Sequence, residues 1–154
     1  MAAAALFVAL VAGLLPVEVV RVEAASMAPT LRDGERVVLV HGVGEPRRGE
    51  LVALDDPAGG GLIVKRVVAL AGDRVEFDDG RLVLDGRVVD EPYADLRHVD
   101  GVFAGPFAPV PPGHVYVLGD NRGDSVDSRT FGPVPLAALD GRITARLWPP
   151  AFTR

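Results

Sequence analysis

Cysteine is absent from the chain, which excludes a disulfide framework, a thiolate nucleophile and a Cys-ligated zinc site. Histidine is scarce: His41, His98 and His114 are scattered without metal-ligand spacing. Each reads as a surface or turn residue, so a His-dependent catalytic triad has little support. Positive charge is also thin. Against 21 Asp and Glu stand 16 Lys and Arg, a net charge of -5, and no basic cluster could neutralise a phosphate backbone, so nucleic acid is a poor partner. Aromatic residues make up only 6% of the chain.

The apolar residues that are present, 49% of 154, are enough for about one domain with a real core. They are rich in valine, and 13 Pro and 18 Gly punctuate them, so many short strands are expected rather than long helices. From Ala2 to Val17 no polar side chain interrupts the run, and after Glu18 it resumes with Val19-Val20 before Arg21. That length is near the lower limit of roughly 17 residues for a spanning helix, with Pro16 and Glu18 near its far end. Residues 2–20 are therefore expected to form an N-terminal transmembrane anchor and 21–154 a separate domain. A cleaved secretory peptide would carry a basic start that is missing here, and would leave no room before the first polar motif; a buried core helix is the other alternative. With Arg21 after the run and no Lys or Arg before it, charge leaves the orientation open.

Beyond the anchor, Ser26 lies in Ala24-Ala25-Ser26-Met27-Ala28-Pro29-Thr30-Leu31, a segment that Pro29 and the Asp33-Gly34 turn mark as extended or loop-like. Strands are expected at Arg36-Val40, Glu50-Leu54, Leu62-Leu70, Arg74-Phe77, Arg81-Leu84, Val115-Leu118 and Gly141-Trp148. The Asp85-Gly86 pair suits a type I′ hairpin turn. The span from Pro92 to Pro112 lacks periodicity, and its Val102, Phe103 and Phe107 could touch lipid or merely cover the domain.

Two stretches concentrate polar chemistry. In Leu62-Leu70, Lys65 and Arg66 interrupt an apolar strand, and because neighbours on a strand point to opposite faces, one of them must face the core side. A lysine there is expensive unless neutral or paired; the alternative is an edge strand whose long side chains reach water. The second stretch, Gly119 to Gly132, packs acids, amides, hydroxyls and two arginines between a strand and the Gly132-Pro133 turn. Asn and Asp readily bond their own backbone, so a well-capped turn alone would explain much of it.

Read together, three segments resemble the type I signal peptidases: Ser26-Met27-Ala28-Pro29-Thr30-Leu31, then Lys65-Arg66-Val67-Val68-Ala69-Leu70-Ala71-Gly72-Asp73, then Gly119-Asp120-Asn121-Arg122 running to Ser125-Val126-Asp127-Ser128-Arg129 and Phe131-Gly132. They stand in this order behind an apolar run, and the likeness extends to Trp148-Pro149-Pro150. The resemblance implies a mainly β, antiparallel and barrel-like peptidase domain behind a single transmembrane helix, on the extracytoplasmic face of the cytoplasmic membrane. It implies Ser26 as nucleophile and Lys65 as general base. Ser125 would hold the lysine amine, and Asp127 and Arg129 would form a supporting ion pair. It implies no cofactor and no metal. The implied partners are membrane lipid and secretory preproteins, cut after a small-x-small pattern at the end of the signal peptide.

Those residue types suit the chemistry. A serine hydroxyl needs a base within hydrogen-bond reach, and a lysine serves only when apolar surroundings keep its amine neutral; Ile63, Val64, Val67 and Val68 could supply them. The resemblance makes the Ser26 N–H an oxyanion donor. A serine two positions before the nucleophile is the second donor in part of the family, and Ala24 stands there, with Ala25 where glycine is frequent. Two further readings stay open: a dedicated maturation or conjugation peptidase of the same chemistry (a self-cleaving repressor fits poorly), and a membrane-tethered β-domain that binds peptides without cutting them, for which Ser26 and Lys65 would lie far apart.

Overall fold

Valine-rich runs separated by Gly- and Pro-containing turns pair into two sheets in the computed structural model, which describes residues 16–42, 44–97, 99, 108–148 and 150–152. In chain order the strands are β1 (Val17–Arg21), β2 (Arg36–His41), β3 (Leu51–Asp55), β4 (Leu62–Leu70), β5 (Val75–Asp78), β6 (Arg81–Leu84), β7 (Arg87–Val88), β8 (His114–Leu118), β9 (Val134–Pro135), β10 (Leu139–Trp148) and β11 (Pro150–Phe152). A single helical turn, α1 (Ser128–Phe131), lies between β8 and β9. The larger sheet runs β1-β2-β10-β3-β4-β8-β9 with β11 on β10, and β5-β6-β7 form the smaller. All strand pairs are antiparallel, as the resemblance implies.

The larger sheet curls rather than closes. Register shifts interrupt β10 against both of its neighbours and β4 against β8, and such bulges bend a strand and increase its twist. Its edges, β1 and β9, do not pair with each other. The small sheet is a meander with two Asp-Gly turns: Asp79 and Asp85 have φ of 50°, Gly80 and Gly86 of 76°. Positive φ at both central residues is the type I′ geometry expected for Asp85-Gly86.

Three buried clusters sit against the sheet. β3 is buried on both faces: Leu51 and Ala53 join Met27, Leu31, Val37, Leu39 and Ile143 on one side, while Val52 and Leu54 join Val67, Val115, Val117 and Val134 on the other. The small sheet packs Phe77, Leu82 and Leu84 onto Val68, Tyr116 and Leu118. Lys65 and Arg66 are 3% and 2% exposed, so neither long side chain reaches water as the alternative of an edge strand required.

At the N-terminus the expected anchor and the structure part company. Residues 2–15 lie outside the described residues, but Val17–Arg21, whose first four were counted into the anchor, pairs in full with β2 from Val17↔Val40 to Arg21↔Arg36. Pro16 interrupts helical hydrogen bonding, and Glu18 and Arg21 are costly in lipid but both exposed on β1. Among the described residues no helix is long and apolar enough to cross a membrane. His98, Val102, Phe103 and Phe107 lie outside the described residues.

Candidate active site

Ser26 is held by the turn on its C-terminal side. Met27 and Leu31 are 1% and 0% exposed in the cluster under β3, and the Leu31 N–H donates to the Met27 carbonyl at 2.9 Å. The turn therefore plugs into the core and leaves the serine at its rim; the Ala28-Pro29 bond within it is cis. On the other side Ala24 adopts φ of 77°, a left-handed conformation disfavoured for any residue with a Cβ, and its N–H donates to Asp33 Oδ1 at 3.2 Å.

Lys65 projects from the middle of β4, and its Nζ donates to Ser26 Oγ at 2.9 Å. The two residues are 39 positions apart in the chain. Burial lowers the Lys65 pKa below its ordinary value; Asp127, Asp56 and Asp120 pull the other way, and Arg129 adds to the lowering. Burial is the largest cause, so the amine is held towards its neutral form, in which its lone pair can accept a proton. The Ser26 backbone N–H donates to nothing among the described residues.

The polar stretch after β8 wraps this pair. Asp127, fully buried, accepts from the Gly119 N–H at 3.0 Å and pairs with Arg129 at 2.8 Å. It also caps α1 by accepting from the Arg129 N–H, while Ser128 Oγ accepts from the Val117 N–H at 2.9 Å. Ser125 Oγ is buried without a hydrogen-bond partner among the described residues. It lines the same cleft as Ser26 and Lys65, but no hydrogen bond joins it to the amine.

The sequence pattern gave Asp120, Asn121, Arg122 and Arg66 no part in the site. Asn121 bonds the segment that carries Ser26: its N–H donates to the Ser26 carbonyl at 3.0 Å and its Nδ2 to the Ala25 carbonyl at 3.2 Å. Arg66, on the face of β4 opposite Lys65, grips Asp120 with two bonds of 2.8 and 2.6 Å, and Thr30 Oγ1 donates to the same carboxylate at 2.5 Å. The available signal was a buried-strand arginine and a lone acid after Leu118-Gly119, each needing a counter-charge.

A cleft of about 530 Å³ runs past Ser26 and Lys65, walled by Val20–Ala24 on one side and Gly60–Val64 on the other. β4 pairs with β3 from Leu62 to Arg66 and with β8 only from Arg66 onward, so its other edge is open along Leu62–Lys65. Such an edge can accept an extended peptide as an added strand.

Ser26 and the buried Lys65 meet in this cleft, and the relatives of the chain set it among the serine peptidases. It belongs to the family "Signal peptidase, peptidase S26", whose model matches residues 1–148. It is 37% identical over 142 residues to signal peptidase I of Bacillus caldolyticus, covering 83% of this chain and 78% of that one. To signal peptidase IB of Staphylococcus aureus it is 35% identical over 151 residues, covering 83% and 76%. The crystal structure of a signal peptidase I from Enterococcus faecalis matches with a TM-score of 0.55 at 30% identity, over 67% of this chain and all of that chain.

Proposed function

We propose that the chain is an endopeptidase that removes signal peptides from secreted preproteins, with Ser26 as nucleophile and Lys65 as general base. The observation that carries this reading is the 2.9 Å contact between Ser26 Oγ and a lysine amine that burial holds towards neutrality. It is the geometry that a non-catalytic peptide-binding domain would have no need of.

In the first step Ser26 Oγ forms a bond to the scissile carbonyl carbon as its proton passes to the Lys65 lone pair. The free Ser26 N–H is the donor closest to the nascent oxyanion. Collapse of the intermediate breaks the C–N bond, the Lys65 ammonium gives its proton to the leaving amine, and an ester on Ser26 remains. Lys65, neutral again, takes a proton from the water that attacks the ester and returns it to Ser26 Oγ as the acyl C–O bond breaks and the second product leaves. While Ser26 is esterified the amine needs another partner, and the buried Ser125 hydroxyl is the one in the cleft without a bond. Asp127 and Arg129 keep that loop in shape.

The substrate lies extended in the cleft against the open edge of β4, with its small residues against the valine-lined floor. We place the peptidase domain on the outer face of the cytoplasmic membrane, tethered by the apolar run at the N-terminus. The full chain in lipid vesicles should cleave a preprotein bearing a small-x-small site, and Ser26→Ala and Lys65→Ala should abolish cleavage while leaving the circular dichroism spectrum unchanged. Full activity in either variant would overturn the assignment, and a panel of preproteins separates a general from a dedicated peptidase.

A further inference from the structure

The segment just after the small sheet has no part in the chemistry, yet it makes a dense set of buried contacts. Asp120 and Arg122 both turn one backbone group towards it: the Asp95 N–H donates to the Asp120 carbonyl at 2.7 Å, and the Arg122 N–H to the Asp95 carbonyl at 3.0 Å. The residue between them, Asn121, turns the other way and donates to the Ser26 carbonyl. Residues 120–122 are thus a short segment pressed between two partners, Asp95 behind and the nucleophile in front.

Side chains lock that arrangement from the same segment. Glu91 takes two bonds from Arg122, of 2.8 and 2.7 Å, with the two side chains 5% and 1% exposed. Arg122 Nε donates to the Gly119 carbonyl at 3.0 Å. Tyr93 donates its hydroxyl to Glu91 at 2.9 Å and lays its ring over Arg66, 3.9 Å from the guanidinium carbon, while Arg66 grips Asp120. Burial, with help from the Glu91 carboxylate, raises the Tyr93 hydroxyl far above its usual range, so it remains a donor throughout the working pH range. A planar guanidinium between a ring and a carboxylate is fixed in both tilt and rotation.

We infer that Glu91 and Tyr93 are positioning residues, which set the nucleophile by holding residues 119–122 against the Ser26 carbonyl. The inference rests on the peptidase reading for its effect on rate, but its geometric half stands without it. The strap touches Ser26 from the backbone side and bonds no atom of Lys65, on which Asp120 is the weakest of the named influences. Loosening it should therefore move the serine relative to the scissile carbonyl without altering the base, and misplacement of about 1 Å costs on the order of a hundredfold in rate.

The test uses the full chain with Tyr93→Leu, Tyr93→Phe and Glu91→Gln. Tyr93→Leu removes both the stack and the hydroxyl; it should lower kcat by about ten- to a hundredfold, leave KM for the preprotein nearly unchanged and leave the acid limb of the pH–rate profile where it is. Tyr93→Phe keeps the ring over Arg66 and should restore most of the rate, while Glu91→Gln falls between. Hydrogen exchange at the Asn121 amide should quicken in the same order, Tyr93→Leu first. A merely structural strap would lower the melting temperature with kcat per folded molecule intact, which would overturn the inference, as would an acid limb displaced with the rate. If Tyr93→Leu does not fold, Tyr93→Phe and Glu91→Gln still decide by kcat and exchange. Should the wild-type chain cleave no preprotein, the peptidase reading fails by itself. Asn121 exchange then judges the strap: unchanged exchange in all three variants overturns it.

Discussion

Gly119 and Ser125 approach so closely that a Cβ on the glycine would lie 2.2 Å from Ser125 Oγ, and 2.6 Å from the Ser26 carbonyl oxygen on its other side. The missing side chain is what lets the polar loop lie flat against the nucleophile. Gly119 has no positive φ, so the requirement is one of space alone.

Gly119→Ala should therefore push the loop off Ser26. The expected result is a loss of stability of about 1–3 kcal/mol, the usual range for overpacking, together with a fall in kcat of at least tenfold, since small displacements at a nucleophile are costly. Urea melts and preprotein cleavage measure the two. Wild-type kcat in this variant would show that the close approach has no catalytic consequence.

Lys65 should make the fold less stable at neutral pH than an apolar residue would. Its pKa is lowered in the folded state and ordinary in the unfolded chain, about 10.4. Between the two values the unfolded chain binds more protons, so folding stability rises with pH through that window and is lost as pH falls through it. Lys65→Met should be inactive but melt higher than wild type at pH 7, on the order of 1 kcal/mol for each tenfold change in proton affinity. The advantage should shrink as pH approaches 10.4. An advantage independent of pH would argue against a depressed lysine.

For the same reason the peptidase rate should climb with pH through the lowered Lys65 pKa and then level off, because only the neutral amine accepts the serine proton. Asp127 and Asp56 raise that pKa. Asp56→Asn, a change in the cleft wall away from the serine, should shift the acid limb to lower pH, which a pH–rate profile of kcat/KM reads directly. A shift to higher pH contradicts the proposed electrostatics.

The buried pair Asp127–Arg129 should be needed as a pair more than as charges. Asp127→Ala removes the carboxylate from a guanidinium that is 4% exposed and leaves the Gly119 N–H without its acceptor, a change that typically costs about 3–5 kcal/mol. Adding Arg129→Met to it should recover part of that loss. A double variant no more stable than Asp127→Ala, in chemical denaturation, would count against this account.

Ala24 tolerates a conformation that a bulkier residue cannot. Ala24→Val places a β-branched side chain at φ of 77° and should cost about 1–3 kcal/mol, whereas Ala24→Gly, free to adopt positive φ, should fold and cleave normally. Thermal melts of the two variants make the comparison.

Much of this molecule could be read from local pattern. The valine runs and the Asp85-Gly86 turn announced their strands and hairpin, because alternation and turn chemistry are decided within a few residues. Ser26, Lys65 and the loop at 119–132 were singled out from their residue types and from resemblance. Val17–Arg21 misled because an apolar run continuous with it masks the strand signal, although Pro16 and Glu18 marked the break. Arg66 and Asp120 each signalled the need for a counter-charge, but their pairing, like that of Asn121 with Ser26, could not be read, since each joins residues that only the strand order brings together. The same holds for Ser125, whose buried hydroxyl meets Gly119 rather than the lysine amine.

That strand order has a consequence for when the protein can act. β10 lies between β2 and β3, so the half of the sheet bearing Ser26 and the half bearing Lys65 are laddered to each other only through a strand that starts at Leu139. A nascent chain emerges N-terminus first and carries both reactive residues long before it carries the seam that joins them. The pairing of Ser26 with Lys65 is therefore expected only once β10 has slotted into the middle of the sheet.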